Sequence, residues 1–258
     1  MSGRIELERR AAGVAVLWID NPAHRNALNN ALIDALTGHC RALAADASCR
    51  VIVMRGRGGI FCAGRELRDL RALQDASNDT IVATYEKLKA LNEAVWFCPK
   101  PTVALIEKYA FGAGATLSSW CDIALSEETA LFAYPEVHHG FPPSPALMAL
   151  FLAVGRKKAM ELVLTGRRID ALEADRIGLI TRAVPSAALE AELDKLLAGL
   201  LRSGPDAVAR TKQFVWHSDE SGHRASMATA VDLISLGLAS PQAREGIAAF
   251  FDKRVPKW

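Results

Sequence analysis

Twice in this chain a short, largely apolar run leads to a glycine-rich turn that opens into a helical pattern, and few architectures accommodate that arrangement. The first run is Val51–Met54; the turn Arg55-Gly56-Arg57-Gly58-Gly59-Ile60-Phe61-Cys62-Ala63-Gly64-Arg65 follows, then a charged helix start at Glu66-Leu67-Arg68. The second is Pro101–Ile106, followed by Phe111-Gly112-Ala113-Gly114-Ala115 and a small-residue helix reaching Cys121. Unbroken apolar runs of this length are consistent with strands covered on both faces. Small residues at the strand exit let a ligand approach the backbone, and a helix N-terminus presents unpaired N–H groups. Two such turns side by side could make a two-donor oxyanion hole, although either one alone reads more simply as a tight turn.

The remaining pattern is compatible with a mixed α/β chain. Arg4–Arg10 and Val14–Ile19, separated by Ala11-Ala12-Gly13, read as a β-hairpin. Asn29 caps a helix whose apolar positions are Leu32, Ile33, Leu36, Cys40 and Leu43. A longer helix is predicted from Asp79 to Val95, with strands at Ile123–Leu125, Ala130–Ala133 and around Ile180–Val184. Everything else beyond Pro145 reads as helical. The expectation is an α/β core over residues 1–200 and a helical region over 201–258, which either caps the core or serves oligomerisation. Leu201–Phe251 carries more apolar surface than a small cap needs.

Composition removes several function classes. A net charge of +2 over 258 residues does not fit a general nucleic-acid binder, but allows a local basic patch for an anionic ligand. The five cysteines (Cys40, Cys49, Cys62, Cys98 and Cys121) are odd in number and none form CxxC. No disulfide framework is expected, and a reducing cytoplasm is the natural compartment. The charged stretch after Gly3 does not resemble a signal peptide, and no run approaches the roughly 20 apolar residues of a membrane helix.

Motif by motif, the familiar alternatives fail. Gly59 and Gly64 have P-loop spacing, but Arg65-Glu66 stand where Lys and Ser/Thr are required. Gly112-Ala113-Gly114 starts like a dinucleotide fingerprint, but Leu117 holds the third glycine position. Neither GxSxG nor HExxH occurs. Cys62 has no assignable His or Asn partner and reads as packing. In Tyr134-Pro135-Glu136-Val137, a carboxylate behind a buried strand could sit against apolar walls with a raised pKa suited to proton transfer. A lone glutamate is more often a solvated loop residue. His138 and His139 lack a clear completing ligand set, so no metal is expected.

Taken together and in order, several segments resemble the crotonase (enoyl-CoA hydratase/isomerase) superfamily. They are Asn21–Asn29, Val51–Gly56 with Phe61–Leu67, Lys100–Ala104 with Gly112–Asp122, Phe132–Glu136, Ala159–Ile169 with Ala174–Ile180, and Glu245–Arg254. The resemblance implies a spiral of ββα units whose C-terminal helices build a homotrimer, often doubled to a hexamer. It implies an acyl-CoA substrate, with coenzyme A belonging to the substrate and no separate cofactor. The thioester oxygen would be held by the backbone N–H groups of Ala63 and Ala113, with Glu136 as acid/base. Arg25 and Ala27 would fall on the CoA-binding stretch, with Arg65 and Leu67 near the pantetheine and adenine.

The departures from the family pattern bear on chemistry. Hydratases of the family carry two glutamates; the first falls at Thr116 here and the second is Glu136. The usual asparagine-glycine pair before the second turn is Glu107-Lys108, and the glycine-rich stretch after Glu136 is Phe141-Pro142-Pro143-Ser144-Pro145. A reshaped acyl pocket is expected. Isomerisation suits a lone carboxylate, and hydration would need Thr116 to help place the water. Hydrolysis, decarboxylation, dehalogenation and non-catalytic CoA binding stay open, since fold does not fix reaction.

Overall fold

The computed structural model describes residues 3–213, 215, 231, 234–235 and 237–254. In chain order the strands are β1 (Arg4–Arg9), β2 (Val14–Asp20), β3 (Val51–Gly56), β4 (Thr102–Ile106), β5 (Tyr109–Phe111), β6 (Ile123–Glu127), β7 (Leu131–Ala133), β8 (Ile169–Asp170) and β9 (Arg182–Val184). The helices are α1 (Asn30–Ala45), α2 (Leu67–Leu73), α3 (Asn78–Trp96), α4 (Ala113–Trp120), α5 (Ser144–Thr165, interrupted at Gly155), α6 (Ala171–Arg176), α7 (Leu189–Arg202) and α8 (Pro241–Phe251). Residues 205–213 are also helical. The helical expectation for residues 214, 216–230, 232–233 and 236 lies outside the described residues.

A six-stranded sheet in the order β1-β2-β3-β4-β6-β9 carries the core, parallel throughout except for the β1–β2 hairpin. Its strands alternate between two apolar clusters. Leu17, Ile19, Ile52, Met54, Ala104 and Ile106 face the larger cluster, which also includes residues from α1, α3 and α4. Val16, Val51, Val53, Val103 and Leu105 face the smaller one, closed by Leu189, Leu193 and Leu197 at helical spacing on α7. Burial on both faces is why the strands read as unbroken apolar runs. Asn29 caps α1 as expected, its Oδ1 accepting from the Leu32 N–H at 2.9 Å.

A second, three-stranded sheet in the order β5-β7-β8 positions everything that follows. β5 pairs in parallel with β7, setting Ala110 opposite Phe132. The turn after β3 joins them: Cys62 bridges Ala110, with Phe61 N–H donating to Glu107 O at 3.1 Å and Phe111 N–H to Cys62 O at 3.0 Å. Three parallel extended segments therefore end on one rim. β5 and β8 span three and two residues, too short to show any alternation, and the sequence reading passes over them.

Helix α8 returns over this rim. Phe250 meets His139 edge-on at 5.4 Å, and the Arg71 guanidinium lies 5.2 Å from the Phe251 ring. A Cβ built on Gly246 would stand 2.4 Å from the His139 carbonyl, so the helix is packed against the chain at that point. Among the described residues, no helix is long and apolar enough to cross a membrane.

Packing at the end of β3 generates a paired prediction. A Cβ on Gly56 would lie 1.7 Å from Ile60 O and 2.6 Å from Phe61 O, both backbone atoms of the turn. Gly56→Ala should destabilise by roughly 3 kcal/mol or more, the upper range for overpacking. Gly38, exposed on α1 with nothing within 4 Å of its would-be Cβ, should gain about 0.5–1 kcal/mol as Gly38→Ala. Urea melts of the two variants check both signs.

Candidate active site

The site is mounted by two buried asparagines. Asn26 gives its Nδ2 to Arg57 O at 2.9 Å and Ile60 O at 2.6 Å, while its Oδ1 accepts from Asn21 N–H at 2.8 Å. Asn21 Nδ2 donates to Ala27 O at 2.8 Å. These bonds lock residues 21–27 to the turn after β3, and a further bridge sets Leu28 beside Arg65. The asparagines of this segment are structural mounts. The sequence showed them within a motif but could not show what they hold.

The three segment ends then meet. Gly64 adopts φ +102° and Gly112 φ +49°, both in the region that favours glycine. A Cβ on Gly112 would lie 3.0 Å from Glu136 Oε1 and 3.9 Å from Gly64 Cα; one on Gly64 would lie 3.6 Å from Ala113 N. Absence of both side chains therefore leaves a gap bounded by the two turns and the Glu136 carboxyl. Ala113 opens α4, where N–H groups have no intrahelical acceptor. The Ala63 N–H, expected as the other donor, is already engaged: it donates to Arg25 O at 3.2 Å. Gly64 N–H faces Cys62 Sγ at 3.4 Å and Glu66 N–H donates to Leu28 O at 3.0 Å. Of residues 63–66, Arg65 is the one whose N–H has no acceptor among the described residues.

Glu136 lies on a short 3-10 turn, Pro135–His139, directly after β7. The residue is half-buried, but its Oε2 is fully enclosed and lacks a partner. Burial pushes the carboxyl up to about 7, with a small opposing contribution from a backbone hydrogen bond. Thr116 is buried beside the site, its Oγ1 donating to Gly112 O at 3.0 Å. That bond leaves the hydroxyl able to accept but not to act as a base. The Cys62 thiol is pushed up to about 12 by burial and packs against Gly114, as its packing role requires.

All the candidate residues line one cleft of about 880 Å³: Arg25, Ala27, Ala63, Arg65, Leu67, Ala113, Thr116 and Glu136. Arg25, exposed and at φ +53°, stands with His24 and Arg68 at its open side. Arg65 departs from expectation. Its guanidinium turns inward, Nη2 donating to Asn30 Oδ1 at 2.8 Å while Nε and Nη1 are enclosed. His138 and His139 both line the cleft, His138 against Gly166 and His139 against Phe141 and Phe250. The altered stretch after Glu136 supplies Phe141, Pro143 and Pro145 to the wall. At the other altered pair, Lys108 takes φ +53° and Glu107 Oε2 accepts from Arg55 at 3.1 Å. Ile234, Phe250 and Phe251 also contribute, so the cleft draws on both sides of residue 200.

Comparison with known proteins agrees with this architecture. The enoyl-CoA hydratase/isomerase family model matches residues 9–258. A 2,3-dehydroadipyl-CoA hydratase of Escherichia coli is 35% identical, over 96% of this chain and 95% of its own. A probable enoyl-CoA hydratase of Mycobacterium bovis is 31% identical, over 98% and 96%. The crystal structure of an enoyl-CoA hydratase from Mycobacterium avium superposes with a TM-score of 0.88 at 30% identity, covering 100% of both chains. With a crotonase-like fold and relatives of this kind along nearly its whole length, the chain belongs to the enoyl-CoA hydratase/isomerase family and is an enzyme of that family.

Proposed function

We propose that the cleft binds an acyl-CoA thioester and that Glu136 alone moves protons to and from its enolate. The supporting observation is the gap between Gly64 and Gly112, which the Glu136 carboxyl borders and beside which the Arg65 and Ala113 N–H groups lie unpaired. The thioester oxygen accepts from these two amides, so Arg65 replaces Ala63 as the first donor. Arg25, with Ala27 and Leu67, borders the coenzyme A portion, where a guanidinium suits a phosphate. Coenzyme A enters as part of the substrate and no other cofactor takes part.

Double-bond isomerisation is the reaction a single carboxyl completes. The Glu136 carboxylate takes a proton from C2 of a 3-enoyl thioester, and the C2–H electron pair passes into a dienolate held on the two amides. The same carboxyl returns that proton to C4, the double bond settles at C2–C3, and the base is regenerated. A carboxyl near neutrality suits both halves. Hydration is the second reading, favoured by the names of the relatives: Thr116 would accept a hydrogen bond from the water that Glu136 deprotonates. Mass spectrometry on 3-enoyl- and 2-enoyl-CoA panels separates the two. Isomerisation leaves the mass unchanged and hydration adds one water; conversion of neither panel sinks the proposal.

Glu136→Gln keeps the shape and removes the titrating group. Turnover should fall by roughly a hundredfold or more, while calorimetry with a non-reactive acyl-CoA should give nearly wild-type affinity. For the wild type, kcat/KM should rise with pH through an apparent pKa near 7, because the carboxyl must be ionised to accept the proton. Glu136→Gln should lose that limb. Loss of the limb in His138→Ala or His139→Ala instead would transfer the role to histidine.

We also propose that the protein assembles as a homotrimer or a dimer of trimers through its helical face. Leu152, Leu164 and Leu172 on α5 and α6 stand 47%, 65% and 57% exposed, away from the cleft, and support burial against another copy. Light scattering at micromolar concentration should give three or six times the chain mass; a single-chain mass contradicts the assembly.

A further inference from the structure

The least expected feature of the cleft is a buried guanidinium with unpaired donors: Glu66 and Asp69 act on Arg65 through space, but neither forms an ion pair with it. Arg65 Nη2 is satisfied by Asn30, but Nε and Nη1 are enclosed with no partner, and no carboxylate forms an ion pair with the guanidinium among the described residues. The Tyr85 hydroxyl, carried inward by α3 to the same cleft, is likewise enclosed and unpartnered. A buried guanidinium left unpaired is costly, and buried polar atoms in folded proteins nearly always find partners. The two arginine nitrogens only donate, and the protonated phenol can donate as well. Burial raises the Tyr85 phenol and so keeps it protonated at neutral pH, with Arg65 and Glu136 acting on it in opposite directions. Tyr85 therefore lies within electrostatic reach of both the buried cation and the reacting carboxyl. Leu70 and Leu88 wall the same part of the cleft and exclude water.

We infer that Arg65 and Tyr85 form a recognition site for a carboxylate at the far end of the acyl chain, so that the preferred substrate is the CoA thioester of a dicarboxylic acid. The inference rests on the acyl-CoA reading above. A carboxylate supplies charged acceptors at contact distance, which the enclosed N–H and O–H groups lack. A methyl terminus would leave all of them unsatisfied. A site built from buried donors discriminates strongly against a ligand lacking their acceptor.

The test compares enoyl-CoA thioesters of matched length, six to eight carbons, ending in a methyl or in a carboxylate. Wild-type kcat/KM should favour the carboxylate-terminated series by at least about tenfold, given the strength of a charge-assisted hydrogen bond. Arg65→Leu keeps the backbone amide, and because the readout is a ratio, any loss common to both series cancels. That ratio should collapse to about one or invert. Tyr85→Phe, a milder change should Arg65→Leu fail to fold, should reduce it several-fold. Calorimetry with saturated hexanoyl- and adipoyl-CoA reads the same preference without turnover. Equal handling of both series by the wild type, or ratios unmoved by both substitutions, overturns the carboxylate site while leaving Glu136 chemistry intact. Failure of every thioester to bind or react overturns the acyl-CoA reading itself.

Discussion

The parallel ladder of residues 60–62, 109–111 and 131–133 is the constraint on which the site depends. Each segment is too short to be stable alone, and each is tied at one end to the large sheet or its turns. Once Cys62 pairs with Ala110 and Ala110 with Phe132, the residues beyond them have little freedom. Gly64, Gly112 and Glu136 emerge on the same rim because they follow the carboxyl ends of three parallel segments. Open α/β sheets place ligand crevices at such ends for the same reason. The asparagine lock at Asn21 and Asn26 adds a fourth piece by holding the Arg25 loop against the first turn.

Desolvation then sets the chemistry. Burial pushes the Glu136 carboxyl up to about 7, with its Oε2 enclosed and without a partner. Thr116, committed to Gly112 O, brings no carboxylate to its place beside the gap. The same low-polarity surroundings hold Arg65 and Tyr85 with donors unpaired, so the cleft contains unmet polar demand at two separate points. Demand of that kind is characteristic of a ligand site rather than a packed core.

The altered segments are absorbed without disturbing this frame. Lys108 accepts a left-handed conformation at some conformational cost, while its N–H donates to Glu127 Oε1 at 2.7 Å. Phe141, Pro143 and Pro145 wall the cleft beside the start of α5, and α8 adds Phe250 and Phe251 from the opposite end of the chain.

Most of the strands and helices, the two glycine-rich turns and the cap at Asn29 were legible in the sequence, because hydrophobic periodicity and glycine placement are local signals; β5 and β8 were too short to show. Which amide near the end of the first turn stays unpaired was not legible. Ala63 and Arg65 are equivalent as residues of one turn, and only the acceptor supplied by Arg25, brought from elsewhere in the chain, separates them. Nor could the sequence show Arg65 turned inward rather than toward the cleft mouth, since a guanidinium's surroundings are set by Asn30 and Tyr85, 35 residues before and 20 after it. The sequence by itself determined which elements form and which residues could carry a proton. Tertiary structure alone decided which hydrogen-bonding groups are already spent and which remain free, because that depends on partners distant along the chain.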